Sequence, residues 1–71
     1  MISYKKLWPL LSRRGYDKRD IIALAGISES TFQKLVKGES VRLDVLERIC
    51  YALNVEIGDV CSFRGFPVRI R

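Results

Sequence analysis

Seventy-one residues carrying a net charge of +5 and 48% apolar content make at most one small domain, near the lower limit for a chain that buries its own core. Such a composition argues against disorder over most of the chain. Two cysteines, Cys50 and Cys61, with no histidine leave no ordinary zinc ligand set, and the longest apolar run, Ile21 to Ile27, is far too short to span a membrane.

The first helix is expected from about Ser3 to Arg14, with Tyr4, Leu7, Trp8 and Leu11 on one buried face. Pro9 removes an amide donor and clashes with the carbonyl of Lys5, so the helix should begin late and hold Pro9 in its first turn. Gly15 suits the left-handed residue that ends it. A second helix runs from Asp17 to Ala25, with Asp17 as N-cap and Tyr16 and Ile21 spaced as a hydrophobic staple. Gly26 ends that helix, and Ser28 at once caps a third that reaches Lys37, with Ile27 and Phe32 as a second staple and Gly38 as terminator. The fourth spans Leu43 to Leu53, its apolar face formed by Leu43, Leu46, Ile49, Cys50 and Leu53, and Asn54 is an acceptable left-handed stop. A short last segment, about Ile57 to Cys61, offers Ile57, Val60 and Cys61 to the core. No alternating strand pattern precedes the final residues. The expected architecture is therefore all-α, a compact five-helix domain over residues 1–62. A basic tail, 63–71, is expected as an edge strand or a loose arm.

Charge is unevenly placed. Lys5, Lys6, Arg13, Arg14, Lys18 and Arg19 face only Asp17 near the start, the middle is mildly acidic, and Arg64, Arg69 and Arg71 have no acid beside them. A basic chain suggests a polyanionic partner, most often nucleic acid. Two helices separated by almost nothing must cross steeply, as in a helix-turn-helix unit. Ile27, Phe32 and Leu35 then point inward, leaving Glu29, Ser30, Gln33, Lys34 and Lys37 outside. Such a polar face fits the major groove of B-DNA: Gln33 suits adenine, Lys34 the guanine acceptors, Glu29 the cytosine amino group, and Ser30 either donors or acceptors. Lys18 and Arg19, at the start of the second helix, are placed for phosphate oxygens.

The stretches Ala25-Gly-Ile-Ser-Glu-Ser-Thr-Phe-Gln-Lys-Leu-Val-Lys-Gly-Glu39 and Leu46-Glu-Arg-Ile-Cys-Tyr-Ala-Leu-Asn-Val-Glu-Ile-Gly-Asp-Val60 resemble the Cro/phage-repressor-type (XRE-like) helix-turn-helix regulators. The resemblance covers about residues 3–61. It implies a lambda-repressor-like fold, a recognition helix at 28–37 and a homodimer on double-stranded operator DNA that regulates transcription. By the same resemblance Glu29, Ser30 and Lys34 read bases, while Gln33 and Lys37 sit at base- or phosphate-contacting positions. With Gln33 counted among the base readers, Lys18, Arg19, Ser28, Thr31 and Lys37 are expected to meet the DNA backbone. Four residues depart from the family pattern. Lys18 replaces a frequent glutamine, Ile22 a frequent alanine and Arg42 the usual Ser/Thr cap, and Pro9 interrupts a normally unbroken helix.

A second reading is a protein-interaction module, antitoxin-like or anti-repressor, that reuses the same fold and contacts its partner through the tail from Phe63 onward. Catalysis is not expected, because the chain has no histidine, no phosphate-cradling glycine loop and no cysteine–base pair. Nor is a cofactor, metal, membrane or small-molecule substrate. Lone thiols and the lack of a signal-peptide pattern in Met1 to Leu11 point to a cytoplasmic location.

Overall fold

Each helix of the protein stops where the sequence supplies a residue able to turn left-handed. The computed structural model describes residues 1–63 and contains α1 (Leu7–Arg14), α2 (Lys18–Ala25), α3 (Glu29–Lys37) and α4 (Leu43–Leu53). Gly15, Gly26 and Gly38 close the first three, and Asn54 closes the fourth with φ 57°. The helix starts are equally local. Asp17 Oδ1 accepts from the Asp20 amide at 3.0 Å, and Asp20 Oδ2 accepts from the Asp17 amide at 2.9 Å, a reciprocal capping box. Ser28 Oγ accepts from the Thr31 amide at 3.1 Å. Arg42, lacking an acceptor, caps nothing with its side chain and instead donates through Nε to Asp44 at 3.1 Å. The Leu7 amide donates to the Tyr4 carbonyl at 2.9 Å, so α1 begins late and Pro9 sits in its first turn, where a missing donor is tolerated.

Two expectations about the elements are corrected. The fifth helix is a single 3-10 turn, Ile57–Asp59. Gly58 is a poor helix former, and Asp59 Oδ2 closes the turn by accepting from the Glu56 amide at 3.0 Å. The fold is also not purely helical. β1 (Ile2–Ser3) pairs antiparallel with β2 (Ser62–Phe63), with Ile2 opposite Phe63 and Ser3 opposite Ser62. Strands of two residues are too short to show an alternating pattern, and their pairing joins opposite ends of the described chain. The expected tail beyond Phe63 lies outside the described residues.

The core gathers Leu7 from α1, Ile21 from α2, Leu35 from α3, Ile49 and Leu53 from α4, and Val60 after the turn, all fully enclosed. Trp8 meets Phe32 edge to face, with ring centroids 5.9 Å apart, which fastens α3 to α1. Leu43, expected inside, is 72% exposed, and Val45 is buried in its stead. At about 100° per residue Val45, Leu46, Ile49 and Leu53 centre the buried face of α4, and Leu43 lies roughly 110° from that centre. Ile57, also expected inside, is 45% exposed.

Truncating Ile49 to alanine removes a fully enclosed side chain and is expected to cost about 2–5 kcal/mol in urea denaturation. The Asp17 carboxyl is held below the ordinary carboxylate range, first by the amide of Asp20 and further by the Asp20 side chain and Arg19. Its ionised form therefore favours the fold above about pH 4, and that contribution disappears as pH falls through the lowered folded value. Asp17→Asn keeps a cap at neutral pH, so thermal melts between pH 5 and pH 2 should decline less steeply for the variant than for the parent.

Candidate nucleic-acid interface

Between α2 and α3 the chain has only Gly26, Ile27 and Ser28. Gly26 takes φ 67°, a conformation that costs a residue with a β-carbon about 1–2 kcal/mol, and its amide donates to the Ile22 carbonyl at 3.0 Å. Ile27 is buried and its amide bonds the same Ile22 carbonyl at 3.2 Å. The turn is thus closed from within, and Phe32 and Leu35 seat α3 in the core.

With those two side chains inward, Glu29, Ser30, Gln33, Lys34 and Lys37 fall within an arc of roughly 140° on the opposite side of α3. All five are exposed. Ser28, Lys18 and Arg19 are exposed as well, and Thr31 is half-buried. Of these, Lys18 is joined to the α3 face by its contact with Glu29, and Ser28 and Thr31 by their hydroxyl contacts; Arg19 is exposed, with no contact among the described residues that ties it to α3.

Two contacts within this set are not evident from the sequence. Lys18, the first residue of α2, forms an ion pair with Glu29, the first residue of α3, at 2.5 Å. Both side chains are about half exposed or more, so the pair adds little to stability, under about 1 kcal/mol. Its effect is to set the ammonium beside Glu29 and offset part of the carboxylate's charge at the start of the helix. An ammonium carries three donors, so Lys18 keeps capacity for another acceptor.

The hydroxyls of Ser28, Ser30 and Thr31 form the second cluster. Ser28 Oγ donates to Thr31 Oγ1 at 2.9 Å and lies 3.1 Å from Ser30 Oγ. Ser28 has a single proton, so when both bonds are made Ser30 must be the donor to Ser28. Ser30 then offers outward only acceptor capacity, while Thr31 keeps its own proton to donate.

α3 is held at both ends by residues that sequence reasoning did not select. Arg48 of α4 donates to the Gly26 carbonyl at 3.2 Å, bracing the turn from 22 residues away. The Tyr4 hydroxyl donates to the Glu39 carbonyl at 2.8 Å, bracing the chain just past Gly38. Burial, chiefly, pushes the Tyr4 hydroxyl above its ordinary pKa, so it remains a donor. No periodicity links these residues to α3; only the fold brings them there.

Basic residues divide by role. Lys6 Nζ donates to the Gly58 carbonyl at 2.9 Å and Arg14 to the Leu53 carbonyl at 2.6 Å, where each cation satisfies a chain-end acceptor. Lys34 and Lys37 on α3, Lys18 beside Glu29 and Arg48 at the Gly26 carbonyl place positive charge around that helix.

A helix held at both ends with a polar arc outward is the arrangement of a helix-turn-helix DNA-binding domain. Residues 6–64 match the Cro/C1-type HTH DNA-binding domain, and the chain belongs to that family. Its structure is similar to the crystal structure of the transcriptional regulator VanUg, Form II, with a TM-score of 0.82 and 46% sequence identity over 86% of this chain and 81% of that one. No curated protein matches the sequence.

Tyr4→Phe removes one hydrogen bond without changing the core volume and is expected to cost about 1 kcal/mol. Amide exchange should accelerate most at Gly38 and Glu39 if the hydroxyl braces that end of α3, and hydrogen-exchange NMR checks it.

Proposed function

We propose that the protein is a sequence-specific transcriptional regulator that binds double-stranded DNA as a homodimer, with α3 in the major groove. The observation that carries this reading is the fully outward polar arc of Glu29, Ser30, Gln33, Lys34 and Lys37 on a helix braced at both ends. Membership of a DNA-binding family and similarity to a transcriptional regulator support it.

The residues divide into base-reading and positioning groups. Glu29 and Ser30 present acceptors, which suit the cytosine and adenine amino groups. Gln33 suits adenine through two hydrogen bonds, and Lys34 suits guanine O6 and N7. Lys18, Arg19, Ser28, Thr31 and Lys37 grip phosphates. Lys18 has a double part, since it holds Glu29 and can meet a phosphate with its remaining donors. The carboxylate that would otherwise repel DNA is thereby partly screened.

Binding of a selected duplex and of random DNA, titrated at several salt concentrations, tests these roles. Lys34→Ala should lower discrimination at one base pair by about 1–3 kcal/mol. Arg19→Ala should weaken both duplexes alike and reduce the salt slope by about one. Lys18→Ala should weaken binding more than Arg19→Ala and be partly rescued by Glu29→Gln, because the unpaired carboxylate is then gone. Equal affinity for both duplexes at every salt concentration would sink the sequence-specific reading.

A further inference from the structure

On the side of α4 turned away from the core, an open groove of about 620 Å³ runs between the helix and the 3-10 turn. Leu43, Tyr51 and Ile57 form its apolar floor, and Glu47, Glu56 and Asp59 stand along it. Among the described residues, no basic side chain lines it. The floor is unusually open to water for such large side chains, with Tyr51 88% and Leu43 72% exposed. The Asp59 carboxylate accepts from the Glu56 amide at 3.0 Å, which holds its charge at the turn.

This combination selects its occupant. Apolar side chains gathered in one groove favour a covering surface. Face-to-face packing of two such grooves would set carboxylates against carboxylates, which is unfavourable. The fitting partner is an apolar segment with positive charge and no acid. Residues 64–71 have that chemistry: Phe66, Val68 and Ile70 alternate with or adjoin Arg64, Arg69 and Arg71, and no Asp or Glu occurs among them.

Cys61 sits at the groove's edge, its thiol on the Ile57 carbonyl at 3.8 Å. From there β2 runs along β1 until Phe63 lies opposite Ile2, and neither strand is among the described residues that line the groove. Eight further residues reach up to about 26 Å, enough to cross to a neighbouring molecule.

We infer that residues 64–71 of a second copy seat in the α4 groove, their apolar side chains on Leu43, Tyr51 and Ile57 and their arginines against Glu47, Glu56 and Asp59. The exchange is reciprocal, so one two-fold axis relates both contacts. This rests on the homodimer in the reading above and names the surface that makes it.

Sedimentation equilibrium of the full chain without DNA tests the exchange. Glu47→Lys and the pair Arg69→Glu with Arg71→Glu should each weaken the dimer about tenfold or more, and combining them should recover most of that loss. Tyr51→Ala, at a site too exposed to matter for folding, should weaken it as well. Three results would overturn the inference: a chain monomeric at every concentration, a dimer indifferent to these variants, and charge reversals that fail to rescue one another. So would a monomer in which the tail reversals alter Cys50 labelling, since the tail would then occupy its own groove. Duplex binding is read separately. A dimer that behaves as expected yet ignores DNA contradicts the DNA reading alone, and a monomer that selects its duplex contradicts the exchange and the homodimer.

Discussion

One residue, Ile27, separates the stop of α2 at Gly26 from the cap of α3 at Ser28. The chain must turn within that span, so the direction of α3 is set by a left-handed glycine, a buried isoleucine and a serine that takes an amide. Lengthening this link would free α3 to rotate, and the core contacts of Phe32 and Leu35 would no longer decide which side faces out. Arg48 and Tyr4 add a brace at each end of the helix. The outward polar face of α3 is therefore a consequence of a junction whose one exposed side chain is the Ser28 cap.

The electrostatic pattern follows the same logic. A net charge of +5 reads as a diffuse attraction for polyanions, but the fold separates it into parts. Lys6 and Arg14 satisfy carbonyls at the ends of the 3-10 turn and α4. Lys18 is paired with Glu29 and keeps donors for a further acceptor. Glu29 faces outward as an acceptor beside Lys18, and the surface around α3 is mixed in sign. A mixed surface of fixed donors and acceptors suits selection among base sequences better than uniform positive charge does.

Much of this was legible in the sequence because its causes are local. Asp17 and Ser28 announce helix starts through their own amide acceptors, Gly15, Gly26 and Gly38 announce stops, and Phe32 and Leu35 fix the inward face by spacing. Leu43 misled because the first residue of a helix can belong to the apolar count yet lie off the buried face. The segment from Ile57 misled because its apolar residues suit a helix, whereas Gly58 and the closing bond of Asp59 confine it to one turn. The pairing of Ile2 with Phe63, the brace from Arg48 to Gly26 and the hold of Lys18 on Glu29 join distant parts of the chain. No periodicity or cap signal encodes them.

Selection of bound duplexes from a random pool tests most directly whether α3 reads bases. The account predicts enrichment of a two-fold symmetric motif with half-sites about one helical turn, roughly 34 Å, apart. A pool that stays random after repeated selection, although the protein retains duplex, would contradict it.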